Sequence, residues 1–166
     1  LVFSIILAGS FNLDNLSVGR YNLSINCTDV LNFSVLIPPF TITVLSMEEF
    51  NGTTTNISSI DIRNITNFVL EHTAFGIINF SNYTDLSQGF DLDSFINISF
   101  NKISLDSTAL NFLNKSATLQ LVGLTFSNPR IAKDGVVCPS SICKKISYSN
   151  GILFFNVTQF SAYEAE

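Results

Sequence analysis

The chain contains no tryptophan, one methionine and a single histidine, His72, in 166 residues. One histidine leaves little room for the triads, acid–base pairs and paired-imidazole metal sites on which many enzymes depend. Charge is scarce too. Asp, Glu, Lys and Arg make up 13% of the residues, about half the usual share. The eight Lys and Arg are spread thinly along the sequence and the formal net charge is −5, which argues against nucleic acid as a partner. No long stretch carries apolar residues at the i, i+3, i+4, i+7 spacing of a helix. There is no nucleophile elbow, phosphate-binding glycine loop or paired-histidine metal motif. These absences predict a protein that is not an enzyme and holds neither cofactor nor metal.

A membrane-crossing helix needs about 20 apolar residues, and the apolar opening "LVFSIILAGS" is much shorter. It reads as a buried strand, 1–8. The competing reading, the tail of a secretion signal ending near Ala8-Gly9-Ser10, lacks a basic leader. A strand without partners in this chain would pair with another domain or subunit.

What is present points to strands. Hydrophobic residues reach 46%, with sixteen Phe and many Ile, Val and Thr, side chains suited to a pleated surface. Residues 1–46 read as consecutive strands, 1–8, 20–27, 33–37 and 40–46, with Pro38-Pro39 breaking the run. The polar segment "MEEFNGTTTNISS" (47–59) reads as a linker or loop and places a boundary there. The chain thus divides into 1–46, Ig-like strands of a partial or partner-completed domain, and 47–166, a β-rich module. Within the second part "SIDI", "NFVLE", "GIINF", "FINISFNKISLD" and "ATLQLVGLTF" read as short strands. "KKISYSNGILFFNVTQF" reads as a hairpin turning at Asn150-Gly151, a pair that tolerates the positive φ of a type I′ turn. The expected fold is all-β, an antiparallel Ig-like β-sandwich. The alternative is a short β-solenoid followed by the C-terminal hairpin.

Asn-x-Ser/Thr triplets start at Asn15, Asn22, Asn26, Asn32, Asn51, Asn56, Asn64, Asn79, Asn82, Asn97, Asn114 and Asn156, twelve of the eighteen asparagines. The abundance of Ser and Thr would produce roughly four by chance. An amphipathic strand also generates this pattern, because residues i and i+2 share a face. Both readings place Asn and Ser/Thr toward solvent and the middle residue inward. They differ over attached sugar, which requires a secretory context. The cysteines bear on that context. Cys138 and Cys143 enclose "PSSI", a spacer that lets two Cα atoms approach to about 5.5 Å, so a structural disulfide is expected. A zinc site lacks further ligands, since only Cys27 and His72 remain. Cys27 is either a buried thiol or pairs outside this chain. Sequons and disulfide together favour an oxidising, extracellular setting.

The remaining candidates for chemistry are weaker. His72 reads as a surface or edge-strand residue. Asp91 and Asp93 in "FDLDSF" would share a strand face and resemble a calcium pair, but a site needs six to eight oxygens, so solvated carboxylates are favoured. Glu48 and Glu49 point apart in an extended chain. Tyr83, Phe90 and Phe95 are the candidates for an exposed aromatic binding cluster, although alternating Phe more often lies in a core.

Residues 50–166 carry "FNGTTTNISSIDIRNITNFVLE", "NISFNKISLDSTAL" and "LNKSATLQLVGLTFSNPRIAKDGVVCPSSICKKISYSNGILFFNVTQFSAY". This stretch resembles a module of large multidomain surface glycoproteins of archaea. The cysteine-bearing run, with Asn-Pro-Arg-Ile before it and Phe-Ser-x-Tyr after it, is its specific part. "FNLDNLSVGRYNLSINCTD" resembles the last two strands of an Ig-like repeat. The resemblance implies an extracellular, glycosylated, structural or adhesive protein without assigned catalytic residues. The expected function is therefore a subunit or module of a cell-surface assembly, a filament, sheath or S-layer-like lattice, held by strand contacts between subunits. Its partners would be copies of itself or neighbouring surface domains, with N-linked glycans. The alternative is an adhesin that binds a host cell or carbohydrate.

Overall fold

The computed structural model describes residues 16–28 and 31–166, with Asn26 and Cys27 described by their backbone alone. The expected strand 1–8 and the acceptor Asn15 lie outside the described residues. The described chain is built almost entirely of antiparallel strands. It forms a two-stranded hairpin and two five-stranded sheets that pack as a sandwich.

The hairpin consists of β1 (Gly19–Thr28) and β2 (Ser34–Val44). The first large sheet contains β3 (Phe68–His72), β4 (Gly76–Phe80), β7 (Ala117–Leu121), β10 (Cys143–Ser149) and β11 (Ile152–Val157). Their order is β10-β11-β7-β4-β3. The second sheet contains β5 (Ile96–Ser99), β6 (Lys102–Leu105), β8 (Ile131–Lys133), β9 (Val136–Val137) and β12 (Ala162–Ala165), in the order β5-β6-β12-β8-β9. A single helical turn, α1 (Leu92–Phe95), leads into β5.

Alternation of side chains explains the sandwich. In β7 every second residue is buried, Ala117, Leu119 and Leu121, and β4 and β11 repeat the pattern on either side. The inward faces of the two sheets interdigitate around Phe68, Phe80, Phe155 and Tyr163, all fully buried. Phe155 meets Tyr163 edge-on with centroids 6.1 Å apart, and Phe160 meets both Phe80 and Tyr163. Such edge and tilted contacts add to the burial of ring area. The Tyr163 hydroxyl donates to the Gln159 carbonyl at 2.6 Å, which satisfies the one polar atom this ring carries inward. Burial also pushes its phenol up to about 12.

The Asn150-Gly151 turn forms as its residues predict, with φ of 50° and 74°. It joins β10 to β11 in the register Ser149↔Ile152 and Tyr148↔Leu153. Ile146 falls at an irregularity in that ladder between Lys145 and Ser147, and lies exposed instead of facing the opposite arm. An extra residue in one strand has no cross-strand partner, which is what a bulge creates.

Three local expectations differ from the structure. Pro38-Pro39 does not break the strand: β2 runs through it, and the register changes from Leu23↔Phe40 to Ile25↔Ile37. The two prolines stand opposite Ser24 alone, a bulge in a two-stranded sheet where their missing N–H groups cost no ladder bond. "SIDI" is not a strand. Asn56 caps a short 3-10 turn by accepting from the Ser58 N–H, and Asp61 accepts from the Arg63 N–H. These side chains offer the backbone local partners in place of a ladder. "FINISFNKISLD" is two strands, β5 and β6, turning at Phe100-Asn101.

Candidate functional site

Among the described residues, the hairpin is the sheet with the fewest strands and the least covered face. Cross-strand partners share a face, so the register brings Tyr21 beside Ile42, Leu23 beside Phe40 and Ile25 beside Ile37. The diproline bulge makes this possible. Without it, Ile37 would lie on the opposite face from Phe40 and Ile42, because side chains alternate strictly along a strand. With it, β2 contributes an apolar row that matches the one on β1. Asn22 and Ser24 lie on the other, exposed face, where Thr41 Oγ1 donates to Asn22 Oδ1 at 3.0 Å.

That apolar face is not covered as a core face is. Ile37 and Phe40 retain 39% and 40% of their accessible surface, while Phe155 and Phe80 in the sandwich retain none. The described contacts between hairpin and sandwich lie at the hairpin's base. Thr43 Oγ1 donates to the Ser87 carbonyl, and Ser46 exchanges backbone bonds with Phe90 and Leu92. Gly89, at φ +77°, sits so close to Gly19 that an added Cβ would lie 2.5 Å from its carbonyl carbon.

Asp93 fixes this junction. Its carboxylate accepts from Ser46 Oγ at 2.5 Å and from the backbone N–H groups of Glu48 and Glu49 at 2.9 and 3.1 Å. Asp91 instead caps α1 through the Ser94 N–H, which holds its carboxyl below the usual range. The pair therefore does not alternate along a strand: one is the cap of a helical turn, the other a clamp on the segment leaving the hairpin. No cluster of three metal-ligating side chains occurs among the described residues. Segment 47–59 is correspondingly not a free linker. Phe50 is buried, and Asn51 and Thr55 donate backbone bonds to the outer edge of β3, at Glu71 and Val69.

The ten sequon asparagines whose side chains are described, from Asn22 to Asn156, are all exposed. The middle residues Ile65, Phe80, Ile98 and Val157 are buried, so these triplets follow the pleat, whereas Phe33, Gly52 and Tyr83 are exposed middle residues. Asn79 and Asn156 flank Thr118 on the outer face of the first sheet, and Thr118 Oγ1 donates to Asn156 Oδ1 at 2.8 Å. Thr84, by contrast, is buried, and its Oγ1 accepts from Lys115 Nζ at 2.8 Å. That lysine also donates to the Tyr83 carbonyl, and burial lowers its pKa.

Cys138 and Cys143 form a disulfide with Cα atoms 5.9 Å apart. Cys143 is the first residue of β10, so the bridge clamps the entry to the C-terminal hairpin. The Cys27 side chain lies outside what is described; its backbone pairs with Val35. His72 ends the edge strand β3, half-buried, with its ring stacked on Phe75 at 4.5 Å and Nδ1 buried without a hydrogen-bond partner. The proposed aromatic cluster does not gather around Phe90: that ring packs against Phe112 at 4.2 Å, while the Tyr83 hydroxyl donates to the Arg63 carbonyl. No helix among the described residues is long and apolar enough to cross a membrane.

No family model matches the chain, and a search of curated proteins finds no match.

Proposed function

We propose that the chain is a structural module of an extracellular, N-glycosylated cell-surface assembly, joined to its neighbours through β-strand contacts. The observation that carries this reading is the hairpin, which among the described residues is a two-stranded sheet whose apolar face is only partly buried. A two-stranded sheet is marginal in water, and three or more strands or a packing partner are needed to stabilise it. Strand addition by a neighbouring domain or subunit would extend this sheet at its edge, and a layer from the same neighbour would cover its apolar face. The exposed sequon asparagines, the disulfide and the low charge fit a surface that glycans keep soluble, and the resemblance to archaeal surface modules belongs with this reading.

Intact-mass measurement of native material, before and after enzymatic deglycosylation, tests the glycoprotein half. Added mass removed by the glycosidase is expected; a bare polypeptide mass would count against it. Removal of residues 1–10 tests the assembly half. The truncated chain should lose assembly, seen by electron microscopy and sedimentation, while the C-terminal hairpin stays folded. Normal polymers from the truncated chain would overturn the strand-exchange reading.

A further inference from the structure

Basic residues concentrate at one edge of the fold. Four of the eight basic residues, Arg130, Lys133, Lys144 and Lys145, lie on or beside β8 and β10 at one edge of the sandwich. There, among the described residues, β9 and β10 are the last strands of their sheets. Ile131 and Val137 line one shallow depression with the disulfide and Lys145, so the two strands flank the same edge. Val136, Val137 and Ile146 are more than half exposed there. Lys133 and Arg130 are ion-paired, to Asp134 and Glu166, but no ion pair among the described residues includes Lys144 or Lys145. No sequon begins on β8, β9 or β10 themselves; the acceptor nearest this edge is Asn156 of β11, the cross-strand partner of Lys144.

The opposite edge has the reverse character. β3 and β5 pack against each other there, and the hairpin emerges beside them. Glu48 and Glu49 are exposed, Asp91 and Asp93 stand next to them, no ion pair among the described residues neutralises any of the four, and one exposed cation, Arg20, lies at the hairpin's base.

An open edge with exposed apolar side chains is a template for pairing. Lysines on such an edge disfavour a second copy of the same edge through like-charge repulsion, and favour an acidic one. Because the complementary surfaces lie on different sides of one molecule, the contact they define is heterologous and repeats from copy to copy.

We propose that the β9–β10 edge is a self-association surface that receives the acidic, hairpin-bearing edge of a second copy. The proposal rests on the reading of the chain as an assembly module and names the faces that meet. Lys144 or Lys145, which alternate across β10, faces Glu48 or Glu49 of the next copy, while Val136, Val137 and Ile146 supply apolar area for its hairpin.

Zero-length carbodiimide cross-linking of the full chain, followed by peptide mapping, reads the contact directly. Lys144 or Lys145 joined to Glu48 or Glu49 between copies is the expected product; cross-links from these lysines to other carboxylates only, or to none, overturn the proposal. Charge reversal by K144E/K145E should weaken self-association about tenfold or more, as should E48K/E49K, and the two variants mixed should associate again. Ile146→Asp, which leaves the Lys145 hydrogen bonds to Asn128 and Pro129 in place, should weaken it independently. Assembly unchanged in K144E/K145E and in Ile146→Asp overturns this interface while leaving the assembly reading intact. A wild-type chain that stays monomeric at every concentration overturns both.

Discussion

The sandwich and the hairpin are made of the same material and end in different states. Both use strands in which apolar residues alternate with Asn, Ser and Thr, and both turn their asparagines outward. In the sandwich a second sheet meets the apolar face, and Phe68, Phe80 and Phe155 disappear from solvent. In the hairpin nothing described closes over Ile37 and Phe40, which keep about two fifths of their surface exposed. Strand pairing satisfies the backbone but buries only one dimension of a sheet; the hydrophobic gain comes from the layer placed on its face.

The largest expected effect sharpens that contrast. Phe155→Ala should destabilise the sandwich by about 3–5 kcal/mol, the usual cost of emptying a fully buried aromatic site. Phe40→Ala should leave thermal unfolding of the isolated chain nearly unchanged. A comparable loss of melting temperature in both variants would show that the hairpin face is covered in solution.

Removing the disulfide ranks next. C138S/C143S should cost about 2 kcal/mol, at the low end for disulfides because the closed loop is short. The loss should appear in denaturant unfolding of the sandwich, and reductant should reproduce it in the wild type.

Gly89→Ala acts on the boundary between the regions. The new Cβ would collide with the Gly19 backbone, and its left-handed φ alone costs roughly 1–2 kcal/mol. Limited proteolysis between residues 16 and 46 should accelerate while the core of the sandwich remains protected. Equal protection of the hairpin in both proteins would argue that its base is held by more than this contact.

The smallest effect is a pH response confined to the sandwich. Lys133 Nζ and the Ser161 hydroxyl, with help from the Ala162 N–H, hold the Asp134 carboxyl down to about 2. A depressed carboxylate pKa contributes stability that is full above the unfolded value near 4 and is lost as pH falls toward 2. The contribution should stay below about 1 kcal/mol because water screens this exposed pair. Acid titration of wild type against Asp134→Asn should show a shallower loss in the variant over that window and no difference in how the hairpin is cleaved.

Much of this was legible in residues. Antiparallel strands, the Asn150-Gly151 hairpin and the outward asparagines all follow from a two-residue period and from turn residues that accept positive φ. Pro38-Pro39 was misleading because local rules treat proline as an end, whereas a bulge in a two-stranded sheet has room for two residues without N–H groups. Asp91 and Asp93 looked like a matched pair because spacing alone does not reveal a helical turn. The partner that explains Asp93, the segment from Ser46 to Glu49, lies more than forty residues earlier in the chain. Lys144 and Lys145 were visible as two adjacent cations, but not the acidic edge across the molecule that gives them meaning.

The sequence by itself determined which side of each strand is apolar, where the chain turns in its tightest hairpins and which asparagines can face solvent, since each depends on neighbours a few residues away. Only the tertiary structure decided which apolar faces are covered and where charges of one sign collect. β7 lies between β4 and β11, joining residues 76–80 to 117–121 and 152–157. Pairings over such distances are chosen by the burial of the whole sheet, and no single segment encodes them.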